Sequence, residues 1–282
     1  LFVTGYGLGT HFLTVEPIVA MGLYARGCKI SSLYCNKSLP ACEFNTVGNN
    51  KQSSISELKK GVTSTAVTFK CNKCRNNIEK TYEILPINLN GYEKYLNNHD
   101  YKLALDKSEE VKFNNFRDFT YNAIGVGEEA FASILRATFM GEVQDTYINR
   151  HLVKRYIVSG ILTAIAYERA YEALKPDKIV CIHGIYQIHG LAVKVANKLN
   201  IPVIVLGGGG IRKNTAVVCH NETYHQQLVN EDNSVWEQFR LTEEEKRKTL
   251  DYAIKKRSSG GGADYLSYHP SPIEDVDSLY KE

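Results

Sequence analysis

The residues best equipped for chemistry are four cysteines, Cys35 and Cys42 in CNKSLPAC and Cys71 and Cys74 in CNKC. They give a C-x6-C … C-x2-C pattern. The second pair has the spacing of a metal knuckle, and four thiolates from one polar segment could close a tetrahedral zinc site that replaces a missing local core. Unpaired or redox-labile thiols are the competing reading, and an iron–sulfur cluster is a third. Seven cysteines in 282 residues argue for reduced thiols or a metal site over a disulfide scaffold. Cys28, Cys181 and Cys219 fall in or beside expected elements and read as small core residues.

A second candidate is the opening LFVTGYGLGTH, an apolar strand followed by Gly5, Gly7 and Gly9 and then His11. A dinucleotide fingerprint needs G-x-G-x-x-G and an acidic residue about 20 positions on. This loop is G-x-G-x-G, and the second strand ends in Tyr34, Cys35 and Asn36, which disfavours NAD. What remains is a glycine turn at a helix N-terminus, whose N–H groups suit an anion or a sugar hydroxyl. Gly7, Gly9 and Thr10 are the expected contacts, with His11 as a base of ordinary pKa about 6.5. A plain tight turn with His11 capping the helix would use the same residues.

CIHGIYQIHG places His183, Tyr186 and His189 at the carboxyl end of another expected strand, which suggests one cleft shared with the glycine loop. A core role for His183 and Tyr186 is equally compatible. GGGGIRK (207–213) supplies a third loop: Gly208 and Gly209 permit close backbone approach, and Arg212 could pair with a phosphate or carboxylate. It lacks the Lys-Ser/Thr of a phosphate-binding loop.

The elements that must position these groups alternate. LFVT, the helix TVEPIVAMGLYARG and KISSLYC form one β-α-β unit; KIVCIHG, GLAVKVANKLN and PVIVL form a second. The expected fold is therefore α/β, a Rossmann-like open parallel sheet with helices on both faces. Residues 36–77 read as an irregular cysteine-containing insertion. Between the two units, EEAFASILRATFM and a long helix over 151–177 make the middle helical. The domain is expected over 1–255, with 256–282 as a linker toward a second domain. A net charge of +3 with dispersed Lys and Arg gives no sign of nucleic-acid binding. No apolar run of about 18 residues and no signal peptide is visible, so a cytoplasmic protein without a transmembrane segment is expected, with peripheral association at the inner membrane left open.

The opening FVTGYGLGTHFLTVEPIVAMGLYARG, the CNKSLPAC segment, PDKIVCIHGIYQIHGLAVKVANKLNIPVIVLGGGG, ETYH (222–225) and the region of Trp236 together resemble the N-terminal half of bacterial GT-B glycosyltransferases of capsule and surface-polysaccharide biosynthesis. The resemblance implies a nucleotide-sugar co-substrate and a glycan or lipid-linked acceptor. It puts the glycine loop and His11 on the acceptor side of a cleft, with His11 as the catalytic base. It also implies a C-terminal donor-binding domain, in cis or in trans. The alternatives are a non-catalytic scaffolding domain that docks a partner through its cysteine insertion, and a nucleotide-sugar epimerase or hydrolase.

Overall fold

The computed structural model describes residues 1–9, 12–44, 69–138, 141–207, 217–223 and 240–258, with residues 232, 234, 237 and 238. The chain divides into two compact units, residues 1–205 with 220–223, and residues 206–219 with 224–282.

The elements run β1 (Phe2–Thr4), α1 (Phe12–Tyr24), β2 (Ser31–Tyr34), α2 (Phe69–Glu83), β3 (Asn88–Gly91) and α3 (Asn98–Glu109). A short hairpin of β4 (Thr120–Tyr121) and β5 (Ile124–Gly125) leads to α4 (Val126–Thr138) and the 28-residue α5 (Tyr147–Leu174). Then come β6 (Ile179–Ile182), α6 (Leu191–Lys198), β7 (Val203–Gly207) and β8 (Val217–His220). β1 lies in parallel between β2, with Val3 opposite Leu33, and β6, with Val3 opposite Cys181. The sheet order is β3-β2-β1-β6-β7-β8. This is the expected Rossmann-like arrangement, and the direction of winding reverses between β1 and β6. Open α/β sheets bind ligands at that reversal, outside the carboxyl ends of the strands.

One face of the sheet is covered by α1 and α2. Thr4 Oγ1 meets Ser32 Oγ at 2.6 Å and Tyr82 OH at 2.9 Å, and Tyr34 OH donates to Glu79 Oε1 at 2.9 Å. α5 is buried around most of its girth because Tyr156, Ile157, Ile161, Leu162 and Tyr167 leave it no polar face in its middle. Its buried tyrosine hydroxyls are engaged: Tyr167 OH meets Tyr92 OH at 2.6 Å and donates to the Ile188 carbonyl at 3.0 Å. α3 begins with a capping box of Asn97 and Asp100, and Asp100 takes a bidentate pair from Arg169 of α5 at 2.6 and 2.8 Å.

Of residues 36–77, read as an irregular insertion, 36–44 carry no helix or strand, and the reading is corrected only from Phe69, where a helix begins. The backbone of 36–44 is clamped to α5, with Ala41 N–H donating to Ser159 Oγ at 2.8 Å, Arg155 to the Pro40 carbonyl at 2.6 Å and Tyr156 OH to the Cys42 carbonyl at 3.0 Å. Leu39 and Ala41 are core residues. The other end, from Phe69, is helix α2 packed beside α1. Residues 45–68 lie outside the described residues.

In the second unit the described residues are dominated by α7 (Glu243–Ser258), which opens with a reciprocal cap between Thr242 and Glu245. The expected linker beyond residue 258 lies outside the described residues. Among the described residues no helix is long and apolar enough to cross a membrane.

Glu16 of α1 is fully buried, and neither carboxylate oxygen has a hydrogen-bond partner. Burial pushes its pKa up to about 8; the Thr4 hydroxyl, engaged by Ser32 and Tyr82, offsets this only in part. The raised folded-state pKa means that stability is fully present below the unfolded value near 4.5 and is lost as pH rises toward 8. Glu16→Gln should therefore remove a fall in unfolding free energy on the order of 3 kcal/mol between pH 5 and pH 8. Urea denaturation at both pH values measures it, and parallel pH profiles for wild type and variant would rule out a protonated Glu16.

Candidate functional site

Beyond β6 the backbone leaves ordinary conformational space. His183 and Tyr186 stand at φ +65° and +67°, with Gly184 at +67° between them, and residues Tyr186–Gly190 form one turn of π-helix. Left-handed backbone at non-glycine residues is held only where surroundings over-determine it, and single π-turns concentrate at functional sites. The surroundings are visible: Thr223 Oγ1 donates to the His183 carbonyl at 2.8 Å, and Tyr167 holds that of Ile188. His183 and Tyr186 are half-buried, whereas Gln187 and His189 are fully buried. Phe12, the first residue of α1, lies 5.8 Å ring to ring from both His183 and His189, and Tyr6 lies 5.1 Å from His189. The two strand-end segments flagged in the sequence thus meet where the winding reverses.

The glycine loop makes a different use of its glycines from the one expected. A Cβ on Gly5 would sit 2.4 Å from His189 Nε2, and one on Gly7 would sit 2.0 Å from the carbonyl oxygen of Cys74. Gly7 N–H donates to Cys74 Sγ at 3.1 Å, and the Gly7 carbonyl accepts from Asn77 Nδ2 at 2.7 Å. Gly7 is buried with both backbone groups engaged by α2, and its missing side chain leaves room for the Cys74 backbone. Gly9 remains on the half-buried part of the loop, where its carbonyl accepts from Phe12 N–H at 3.2 Å at the start of α1. Thr10, His11, Gly208, Gly209 and Arg212 lie outside the described residues.

A residue that motif reading passed over organises the edge. Glu43 accepts from Tyr6 OH, from Ser133 Oγ at 2.5 Å and from the Gln187 N–H at 3.1 Å. Burial raises its pKa against the opposing pull of those donors. The Gln187 side-chain amide beside it is buried with no hydrogen-bond partner for either its nitrogen or its oxygen. Only the donors that gather on Glu43 from distant segments could have marked it, and such long-range contacts are not written in one sequence.

The four predicted cysteines share one cavity. Cys35, Cys42, Cys71 and Cys74 line one cavity of about 40 Å³, several times what a water molecule needs, with Tyr6, Leu8 and Ile78 among its apolar walls. None is in a disulfide. Asn36 and Lys37, at φ +44° and +64°, turn the chain after β2 between the first two cysteines. Cys71 and Cys74 stand one helical turn apart at the start of α2. Burial pushes the Cys35 thiol up to about 12 and raises Cys42 and Cys74 as well. Among the described residues no three His, Cys, Asp or Glu side chains already stand in the geometry of a formed metal centre.

No family model, characterised sequence or solved structure matches the chain.

Glu43→Ala leaves Tyr6 and Ser133 short of an acceptor, while the Gln187 N–H keeps Ser133 Oγ at 2.8 Å, and should cost roughly 2–4 kcal/mol in urea unfolding, with Glu43→Gln intermediate. A loss below about 1 kcal/mol would mean that water replaces the carboxylate without cost. Gly7→Ala drives a methyl into backbone and should destabilise by about 1–3 kcal/mol; unchanged stability would show that the loop and α2 separate freely.

Proposed function

We propose that this chain is the acceptor-side Rossmann-like domain of a nucleotide-sugar-dependent glycosyltransferase that acts on a glycan or lipid-linked acceptor in surface-polysaccharide assembly. The observation that carries the reading is the meeting of the glycine-loop helix and the His183–Gly190 segment, through Phe12, at the switch point of the sheet. In this reading the half-buried His183 and Tyr186 contact the acceptor, which is supported by the left-handed backbone that Thr223 and Tyr167 hold beneath them. The resemblance in the opening residues and in PDKIVCIHGIYQIHG supports the same assignment.

In this reading the acceptor hydroxyl oxygen attacks the anomeric carbon and His11 takes the hydroxyl proton. The bond from that carbon to the donor's phosphate oxygen breaks, and the nucleotide leaves with the electron pair, a diphosphate from UDP-, GDP- and TDP-sugars and a monophosphate from CMP-sugars. Helix N-terminal N–H groups and Arg212 are the proposed partners of the developing negative charge. The donor's nucleotide belongs to a second domain, in cis or in trans.

The test is transfer of label from UDP-, GDP-, CMP- or TDP-sugars to oligosaccharide and lipid-linked acceptors by the full protein with its donor domain. Glycan binding to this chain is followed by thermal shift; a ligand at about 100 times its Kd adds roughly 2.7 kcal/mol. Stabilisation by an acceptor class, together with loss of transfer but not of folding in His11→Ala, is expected. Stabilisation by NAD, or no response to any glycan, overturns the assignment, and a His11→Ala variant that keeps most of its rate removes His11 from the chemistry.

A further inference from the structure

We propose that Cys35, Cys42, Cys71 and Cys74 bind a single zinc ion as a tetrathiolate centre at the carboxyl edge of β1 and β2. The centre does not depend on the sugar-transfer reading. Two ligands come from the loop that closes β2 and two from the first turns of α2, so neither segment could hold the ion alone. The structure brings all four to one small cavity, with no disulfide among them. Four sulfurs at about 2.3 Å around one ion is the coordination zinc adopts in closed structural sites. The thiols line the cavity without yet converging, and loading turns them inward.

Three features of the cavity fit that occupant. Its walls include Leu39, Phe44, Ile78 and Ile188, which give the thiolates an apolar surround. Gly7 N–H already donates to Cys74 Sγ at 3.1 Å, the kind of backbone bond that orients a metal-bound sulfur. A zinc tetrathiolate carries two net negative charges, and two cations, Lys37 and Arg75, line the same cavity. Lys37 Nζ meets the neutral Asn72 Oδ1 at 2.9 Å, while Arg75 shares its charge with Glu79 at 3.0 Å. The balance is simple: Zn²⁺ enters, four thiol protons leave, and no electron is transferred.

The centre would do mechanical work. Its ligands tie the loop after β2 to α2, and through Gly7 the same bond set reaches the glycine loop after β1. Three segments that meet at the candidate site are thereby fixed by one ion.

The experiment uses the full chain, expressed with added zinc and purified under reducing conditions. Elemental analysis should give one zinc per chain, and cobalt substitution should give the visible absorption of a tetrahedral thiolate site. Thiol titration of the native wild type should find four more reactive cysteines after chelation than before, which requires no variant to fold. Cys71→Ser with Cys74→Ser should lose the metal, whereas Cys28→Ser, which removes an exposed cysteine away from the cavity, should keep it. Absence of zinc with the same number of reactive thiols before and after chelation overturns the proposal. So does an iron–sulfur chromophore, or a disulfide between any two of the four.

Discussion

The carboxylate of Glu43 gathers hydrogen bonds from Tyr6, Ser133 and the backbone of Gln187, and so joins four segments that no shared secondary structure connects. Tyr6 follows β1, Glu43 lies in the loop after β2, Ser133 belongs to α4 and Gln187 to the π-turn after β6. Loops at the carboxyl edge of an open sheet are normally the least constrained part of the fold. Here one half-buried carboxylate ties them into a packed layer, and that layer adjoins His183, Tyr186 and the cysteines. Its own desolvation is unfavourable, and the three donors are what make the burial tolerable.

The glycines of the opening loop are explained by the same layer. Gly5 gives room to the His189 ring and Gly7 to the backbone of Cys74, so the absence of two side chains lets the β6 segment and α2 close on β1 from opposite sides. A dinucleotide fingerprint spends its glycines on approach to a pyrophosphate. This loop spends at least two on approach to protein. Gly9, His183 and Tyr186 stay half-buried around that packed layer.

The alternation of strands and helices was legible because it is local: β-branched runs such as FVT and IVCI are buried on both faces, and α6 repeats its apolar residues at helical spacing. The cysteine cluster was legible for a similar reason, since thiol spacing survives as a pattern whatever the fold does. Helix α2 was not, because FKCNKCRNNIEKTYE is too polar to announce a buried face, and its contact with the core depends on Ile78 and Tyr82 meeting α1 and β1. Nor were the anchors of residues 36–44, whose partners Arg155, Tyr156 and Ser159 lie more than a hundred positions away. Polar contacts at that separation leave no periodicity to read.

The cysteine cavity and the switch point share walls: Gly5, Tyr6 and Ile188 line the cavity, while Tyr6 also packs on His189 and Ile188 belongs to the π-turn. A change that draws the four thiols inward must therefore be accommodated by the groups that set the geometry around His183. The coupling is bounded by Glu43, which grips both Tyr6 and the start of that turn and is adjacent in sequence to Cys42. An ion bound there would remove conformational freedom from the β2 loop and α2 before any ligand arrives. Ligand binding at the neighbouring edge would then have less ordering to pay for, which couples the two sites through lost entropy alone.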